Sequence, residues 1–373
     1  MPLPKVRSGE NKTNFVSRCM IDNTMIREFP ASKQRVAVCI NLYDEATRGA
    51  DAKESALRQE LARQGVDLSR RRIKKPKPYK DPRKIEDTYR KQIFAMVRDI
   101  KANVKNYIIP LLPALVEDYT QTIASVGLDG YVEDLDTAMT TIRAVSDNSV
   151  NGKSFEEVAR EIGADIESFS LEEHTKVLTS ALGVAPVSSE PWIAAKESEF
   201  VKENAALIKE LQESTLNDIE KIVRDGIRSG LRASEIEKEI IRKIGLDTLK
   251  PSTFKMSAAN RARLIAVDQT LSYYSELNGL RQQNVGIDMY IWQTANDERV
   301  RGTPADDGGL YPRAKPSHFV MDGKLCRWDD PTVYSDDGGK TWKSRASIGG
   351  PLVHAGRPIR CRCYAEPYFK DLL

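Results

Sequence analysis

The chain has no apolar run long enough to cross a bilayer. Its longest hydrophobic stretch, around Tyr107 to Val116, is interrupted by Pro110 and Pro113, whereas a spanning helix needs about 20 mostly apolar residues. No membrane partner is expected. The first residues carry Lys5, Arg7, Glu10 and Lys12 and lack the apolar core of a secretory signal, so folding in a cytoplasm is expected. A charge excess is missing too: 57 basic against 54 acidic residues leave +3. That balance argues against a chain dedicated to nucleic acid, which usually carries a large basic surplus. Histidine is scarce, with three residues, so general-base chemistry has few carriers. There is no nucleophile–base pair, phosphate loop or metal-hydrolase motif. The five cysteines are an odd number, and in a cytosolic chain buried thiols or a metal site fit better than a disulfide framework.

What is present describes a globular protein. Its 373 residues, 40% hydrophobic and 30% charged, can form two or three domains. We expect an α+β fold in four consecutive parts: an N-terminal module over 1–45, a basic, proline-containing linker over 46–85, a helical region over 86–250, and a small mixed domain over 251–373. In the first part Cys19 and Cys39 read as packed thiols, since free cysteine behaves as a small hydrophobe. Nine of the fifteen residues from Arg70 to Lys84 are Lys or Arg, and Pro76, Pro78 and Pro82 exclude a helix. Such a run favours extended, polyproline-like chain. Arg70, Arg71, Arg72, Lys74, Lys75 and Lys77 either solvate a linker or lie on DNA or an acidic protein surface.

Helical periodicity follows. Tyr89, Ile93, Met96 or Val97, Ile100, Val104 and Tyr107 recur at steps of three and four. Similar patterns run over Val132–Val145, over Phe155–Leu182 with stops at Gly163 and Gly183, and from Phe200 to Val223 with a stop at Gly230. Ser234 with Glu237 reads as a capping box before a helix that ends at Gly245. The last long helix spans 257–283, with Asp268, Gln269, Arg281 and Gln282 either bonding to the next domain or facing solvent. After Gly286 the pattern changes to alternation, Met289, Ile291 and Gln293 against Tyr290, Trp292 and Thr294, which predicts a half-buried strand.

The ordered blocks Tyr290 to Arg301 (including Trp292, Asp297, Glu298, Arg299 and Arg301), His318, Asp322-Gly323-Lys324, Trp328-Asp329-Asp330-Pro331, His354 and Cys361-Arg362-Cys363 resemble the C-terminal domain of the Mu F-like head morphogenesis proteins, the minor head proteins of tailed bacteriophages. The helix Arg261 to Gln269 and Leu280 to Gln283 belong to the same resemblance, which covers residues 257–367. Residues 1–45 look like a short module of phage head and DNA-packaging proteins. In the family a histidine follows the Arg301 motif closely; here residues 302–315 intervene, so either the loop is extended or His318 is not its counterpart.

The resemblance implies a minor capsid protein acting in head morphogenesis, with the portal, major capsid or scaffold proteins and packaged DNA as partners. It implies a place in the virion after assembly in the host cytoplasm. No enzymatic activity is expected, and Asp297 and Glu298 read as folding residues. The alternatives are a phage-encoded effector or toxin-like enzyme, and a head protein that binds DNA without regard to sequence. No cofactor is expected. If a structural zinc is bound, the ligand set is His318, His354, Cys361 and Cys363, with Cys326 as a substitute. Finally, Ser335-Asp336-Asp337-Gly338-Gly339-Lys340-Thr341-Trp342 has the spacing of the Asp-box of sialidases. One copy means one hairpin, and a sialidase propeller is not expected.

Overall fold

Alternating and helical periodicities place mostly helices, with a few short strands, in a computed structural model that describes residues 4–6, 10, 12–32, 34–43, 61–62, 73–125, 130–146, 149–186, 189–245 and 257–369. The class is α+β, and its sheets are antiparallel. The chain divides into two compact units that do not follow sequence order. Unit 1 joins Met1–Asp81, Phe169–Glu190 and Tyr274–Leu373; unit 2 joins Pro82–Ser168 and Pro191–Tyr273. The expected division into consecutive segments therefore fails. Two helices, of 28 and 27 residues, each supply part of both units, and periodicity marks a helix without saying how many cores it serves.

In unit 1, α1 (Lys12–Met20), α2 (Asn23–Glu28) and α3 (34–43) enclose Phe15, Cys19, Met25 and Cys39, all fully buried. Asp22 caps α2 by accepting the Thr24 and Met25 amides. The expectation of two packed thiols is overturned: Cys19 and Cys39 form a disulfide, their Cα atoms 5.9 Å apart. The turn from α1 through α2 brings the two positions together, and neither spacing nor composition carries that pairing.

Residues 73–82 of the basic linker are not a solvated tether. Ile73, Pro76, Tyr79 and Pro82 are buried while Lys74, Lys75, Lys77 and Lys80 are exposed. This period of three is that of a polyproline II helix, with three residues per turn. The Lys74 amide donates to the Ala181 carbonyl at 3.2 Å, the Lys77 amide to Ser180 Oγ at 2.9 Å and the Lys80 amide to Glu173 Oε2 at 3.2 Å. Ile73 joins a core with Leu178, Leu182, Val285, Ile287 and Phe369. The chain is extended as expected, but anchored. Arg70, Arg71 and Arg72 lie outside the described residues.

Unit 2 is helical: α4 (Arg83–Tyr107), α5 (Leu112–Ser125), α6 (Gly130–Val145), the first part of α7 (Phe155–Leu182), α8 (Ile193–Arg228), α9 (Ala233–Ile244) and the first part of α10 (Ala258–Asn284). A hairpin of β1 (Ser149–Val150) and β2 (Lys153–Ser154) turns on Asn151 and Gly152, both at positive φ (52° and 79°), as a two-residue loop demands. The apolar stripe of α4 is buried through Val104, and Tyr89 donates to Asn204 Oδ1 at 2.9 Å. Two local expectations fail. Gly163 lies inside α7, where a Cβ would meet the Phe200 ring at 3.1 Å; it permits a close approach and ends nothing. The cap of α9 is not Ser234 with Glu237: the N-cap is Arg232, two residues earlier, and the Glu235 carboxylate accepts the Arg232 amide at 2.9 Å.

The C-terminal part of unit 1 is a three-stranded sheet in which β3 (Met289–Gln293) lies between β4 (Leu325–Arg327) and β7 (Tyr364–Tyr368). Tyr290, Trp292 and Thr294 form its buried face, as the alternation predicted. A second ladder, β5 (Val333–Tyr334) with β6 (Lys343–Ser344), carries the Asp-box-like turn. Asp337 accepts the Thr341 amide and hydroxyl at 2.9 and 2.6 Å, and Ser335 Oγ accepts the Gly339 amide at 2.9 Å. Gly338 and Gly339 take positive φ, and the Arg327 guanidinium lies 5.2 Å from the Trp342 ring centroid. The motif builds one hairpin.

Candidate metal centre

Strand β3 supplies the floor of the site. Past its end, Asp297, Glu298 and Arg299 form a surface turn: Arg299 Nη2 donates to Asp297 Oδ2 at 2.5 Å, and both Glu298 and Arg299 are exposed. Burial raises the Asp297 carboxyl, but the Arg299 hydrogen bonds outweigh it and hold the group below its ordinary range. A pair so placed is a local clasp. Arg301 does more. Its carbonyl accepts the amides of His318 and Phe319 at 2.8 and 3.1 Å, and its guanidinium donates to the Ile359 carbonyl at 2.8 Å. One residue thus fixes both the segment carrying His318 and the loop carrying Cys361, and residues 302–315 run out and back between Arg301 and His318.

Cys361 and Cys363 sit just before β7, two residues apart, so both thiols point to one side while Arg362 turns to Asp81 at 3.0 Å. Their Sγ atoms lie 3.4 and 3.5 Å from His318 Nδ1. All three residues are buried, at 4%, 7% and 4% exposure for Cys361, Cys363 and His318, and their donor atoms fall within 4.8 Å of one another. Trp292 closes one side, its ring edge-on to His318 at 6.0 Å. Burial alone would raise the Cys361 thiol, but its hydrogen bonds with Cys363 and His318 hold it well below the usual range. The same bond to Cys361, with burial, pushes Cys363 well above it.

His354 does not join the cluster, which corrects one of the four expected ligands, and the substitute Cys326 does not join it either. His354 Nδ1 faces the Tyr290 hydroxyl at 3.1 Å, and its ring lies 4.9 Å from that of Trp328. Cys326 Sγ is directed to the Lys324 carbonyl at 3.6 Å, and burial pushes its thiol up to about 11. The residue that sequence reasoning missed is Arg345, fully buried. It donates from Nε to the Val333 carbonyl at 2.9 Å, from Nη1 to the Val353 carbonyl at 2.9 Å, and from Nη2 to the Tyr290 hydroxyl at 3.2 Å. No signal in the sequence separates it from a surface arginine. Gln282 of α10 also proves internal, donating to the Ala365 carbonyl at 2.9 Å and accepting from Trp328 Nε1 at 3.3 Å.

Burial, then the positive charges of Arg345 and Arg357, lower His354 to about 4, and burial lowers His174 to about 3 from the ordinary 6.5. Both histidines protonate more readily in the unfolded chain. Their contribution to stability is therefore complete above about pH 6.5 and is lost as pH falls toward 4. Denaturation in chelator, followed by tryptophan fluorescence, is expected to give a lower midpoint at pH 5 than at pH 7. His354→Gln should reduce that difference; an unchanged difference would remove His354 from the account.

Among the described residues, no helix is long and apolar enough to cross a membrane. No protein-family model and no solved structure matches the chain. It is similar to an uncharacterized protein of Haemophilus influenzae, 26% identical over 299 residues. The match covers 79% of this chain and 56% of that protein, so the chain spans about half of the relative's length.

Proposed function

We propose that the chain is a minor head protein of a tailed bacteriophage, acting in head morphogenesis in association with the portal and procapsid. The observation that carries this reading is that the blocks resembling the Mu F-like domain, though spread over residues 290–363, supply the parts of one small fold. Trp292 fills its core, Arg301 ties two loops, Asp297 and Arg299 clasp a turn, and Cys361 and Cys363 meet His318. Their use in architecture supports an assembly role over turnover. The exposed lysines Lys74, Lys75 and Lys77 on an anchored ridge favour contact with packaged DNA as a further part of the same role.

The test is mass spectrometry of procapsids, full virions and emptied particles from an induced host that encodes the chain, with and without nuclease treatment. A few copies in procapsids and full virions are expected, and deletion of the gene should block head assembly. Loss from emptied particles would mark ejection with the DNA, and release by nuclease would assign the DNA contact. A chain confined to the particle-free cell fraction would overturn the reading in favour of an effector.

A further inference from the structure

We propose that His318, Cys361 and Cys363 bind a soft divalent cation, zinc, in a structural site that fastens the loop before β7 to the segment after Arg301. Tetrahedral zinc with bonds of about 2.3 Å to sulfur and about 2.1 Å to nitrogen sets its sulfur and nitrogen ligands roughly 3.6 Å apart. The two sulfur-to-Nδ1 distances here, 3.4 and 3.5 Å, lie close to that value.

Hydrogen bonding accounts less well for the same convergence. A neutral imidazole nitrogen has one lone pair and accepts from one thiol, yet two thiols close on the same Nδ1. The second is left with sulfur, a weak acceptor. A cation takes all three donors together. Charge balances as well: two thiolates and one divalent ion leave a neutral centre, which is what burial in an apolar cluster of Tyr290, Trp292, Met321 and Ala365 favours. Thiolate and imidazole donors select zinc over magnesium or calcium.

The scaffold is fixed on both sides. The Arg301 carbonyl holds the His318 amide, its guanidinium holds Ile359, and the Cys361 amide donates to the Pro358 carbonyl at 2.9 Å. Among the described residues three side chains converge as ligands, and a tetrahedral ion would take one further donor. Binding displaces the protons still held by Cys361 and Cys363 to solvent, so affinity falls as pH falls. This inference stands independently of any role in a phage head.

The full chain, purified under reducing conditions and stripped of metal, is titrated with Zn²⁺ and separately with Co²⁺, and alkylated peptides are mapped by mass spectrometry. About one ion per chain is expected, with thiolate-to-cobalt charge-transfer absorption. Cys361 and Cys363 should be protected from alkylation only when metal is present, while Cys326 shows no such dependence. His318→Gln and Cys361→Ser should weaken binding by on the order of 100-fold or more, and His354→Gln should leave it within about threefold. Should the cysteine variant not fold, the protection map of the unaltered chain decides. Absence of stoichiometric binding, binding without protection of Cys361 and Cys363, or an equal loss in His354→Gln would overturn the proposal.

Discussion

Replacing Arg345 by alanine is expected to destabilise unit 1 by about 3–5 kcal/mol, because several buried acceptors are left unsatisfied at about 1–3 kcal/mol each. The side chain has no solvent exposure, and its fork is divided among the Val333 and Val353 carbonyls and the Tyr290 hydroxyl. Alanine would leave those acceptors buried with nothing to replace the donors. The damage should spread through Tyr290, whose hydroxyl accepts from Arg345 and faces His354 Nδ1 at 3.1 Å. Arg345→Lys keeps the charge but cannot reproduce a planar fork, so it should recover less than half of the loss. Urea denaturation read by tryptophan fluorescence measures this. A cost below about 1 kcal/mol for the alanine variant would mean that water satisfies the vacated acceptors.

Trp292→Ala is expected to cost a similar amount, about 3–5 kcal/mol, by opening a cavity in the C-terminal core. The ring is fully buried with Tyr290, Met321 and Trp328, and the Arg345 guanidinium lies 5.4 Å from its centroid. Its backbone is also engaged, donating to the Lys324 carbonyl at 2.8 Å and accepting from Gly323 at 2.8 Å. Those bonds survive substitution, so the loss is one of packing. Trp292→Phe should cost less, since a ring remains. Arg299→Ala, from the same stretch of sequence, removes an exposed ion pair and should change stability by no more than about 1 kcal/mol. Comparable losses in Trp292→Ala and Arg299→Ala would contradict the division between core and surface within this motif.

Much of the local structure follows from order along the chain. The stripe of α4, the helix stop at Gly183, the alternation of β3 and the turn chemistry from Ser335 to Trp342 depend on neighbours a few residues apart. Backbone geometry converts such spacing directly into faces and turns. The extended chain of residues 73–82 was legible in its prolines, but the burial of Ile73, Pro76, Tyr79 and Pro82 was not. What that ridge packs against was not either, because the α7 residues it touches lie about a hundred positions away.

The candidate site divides along the same line. Two thiols at an i, i+2 spacing on extended chain share a side, so Cys361 and Cys363 were legible as a pair. Choosing between His318 and His354 required the fold, since their partners lie 43 and 64 positions away along the chain. The Cys19–Cys39 disulfide, the burial of Arg345 and the sharing of α7 and α10 between two units belong with that choice. Residue spacing sets which way a side chain leaves the backbone, but contacts between distant segments are set by how whole elements fill space together.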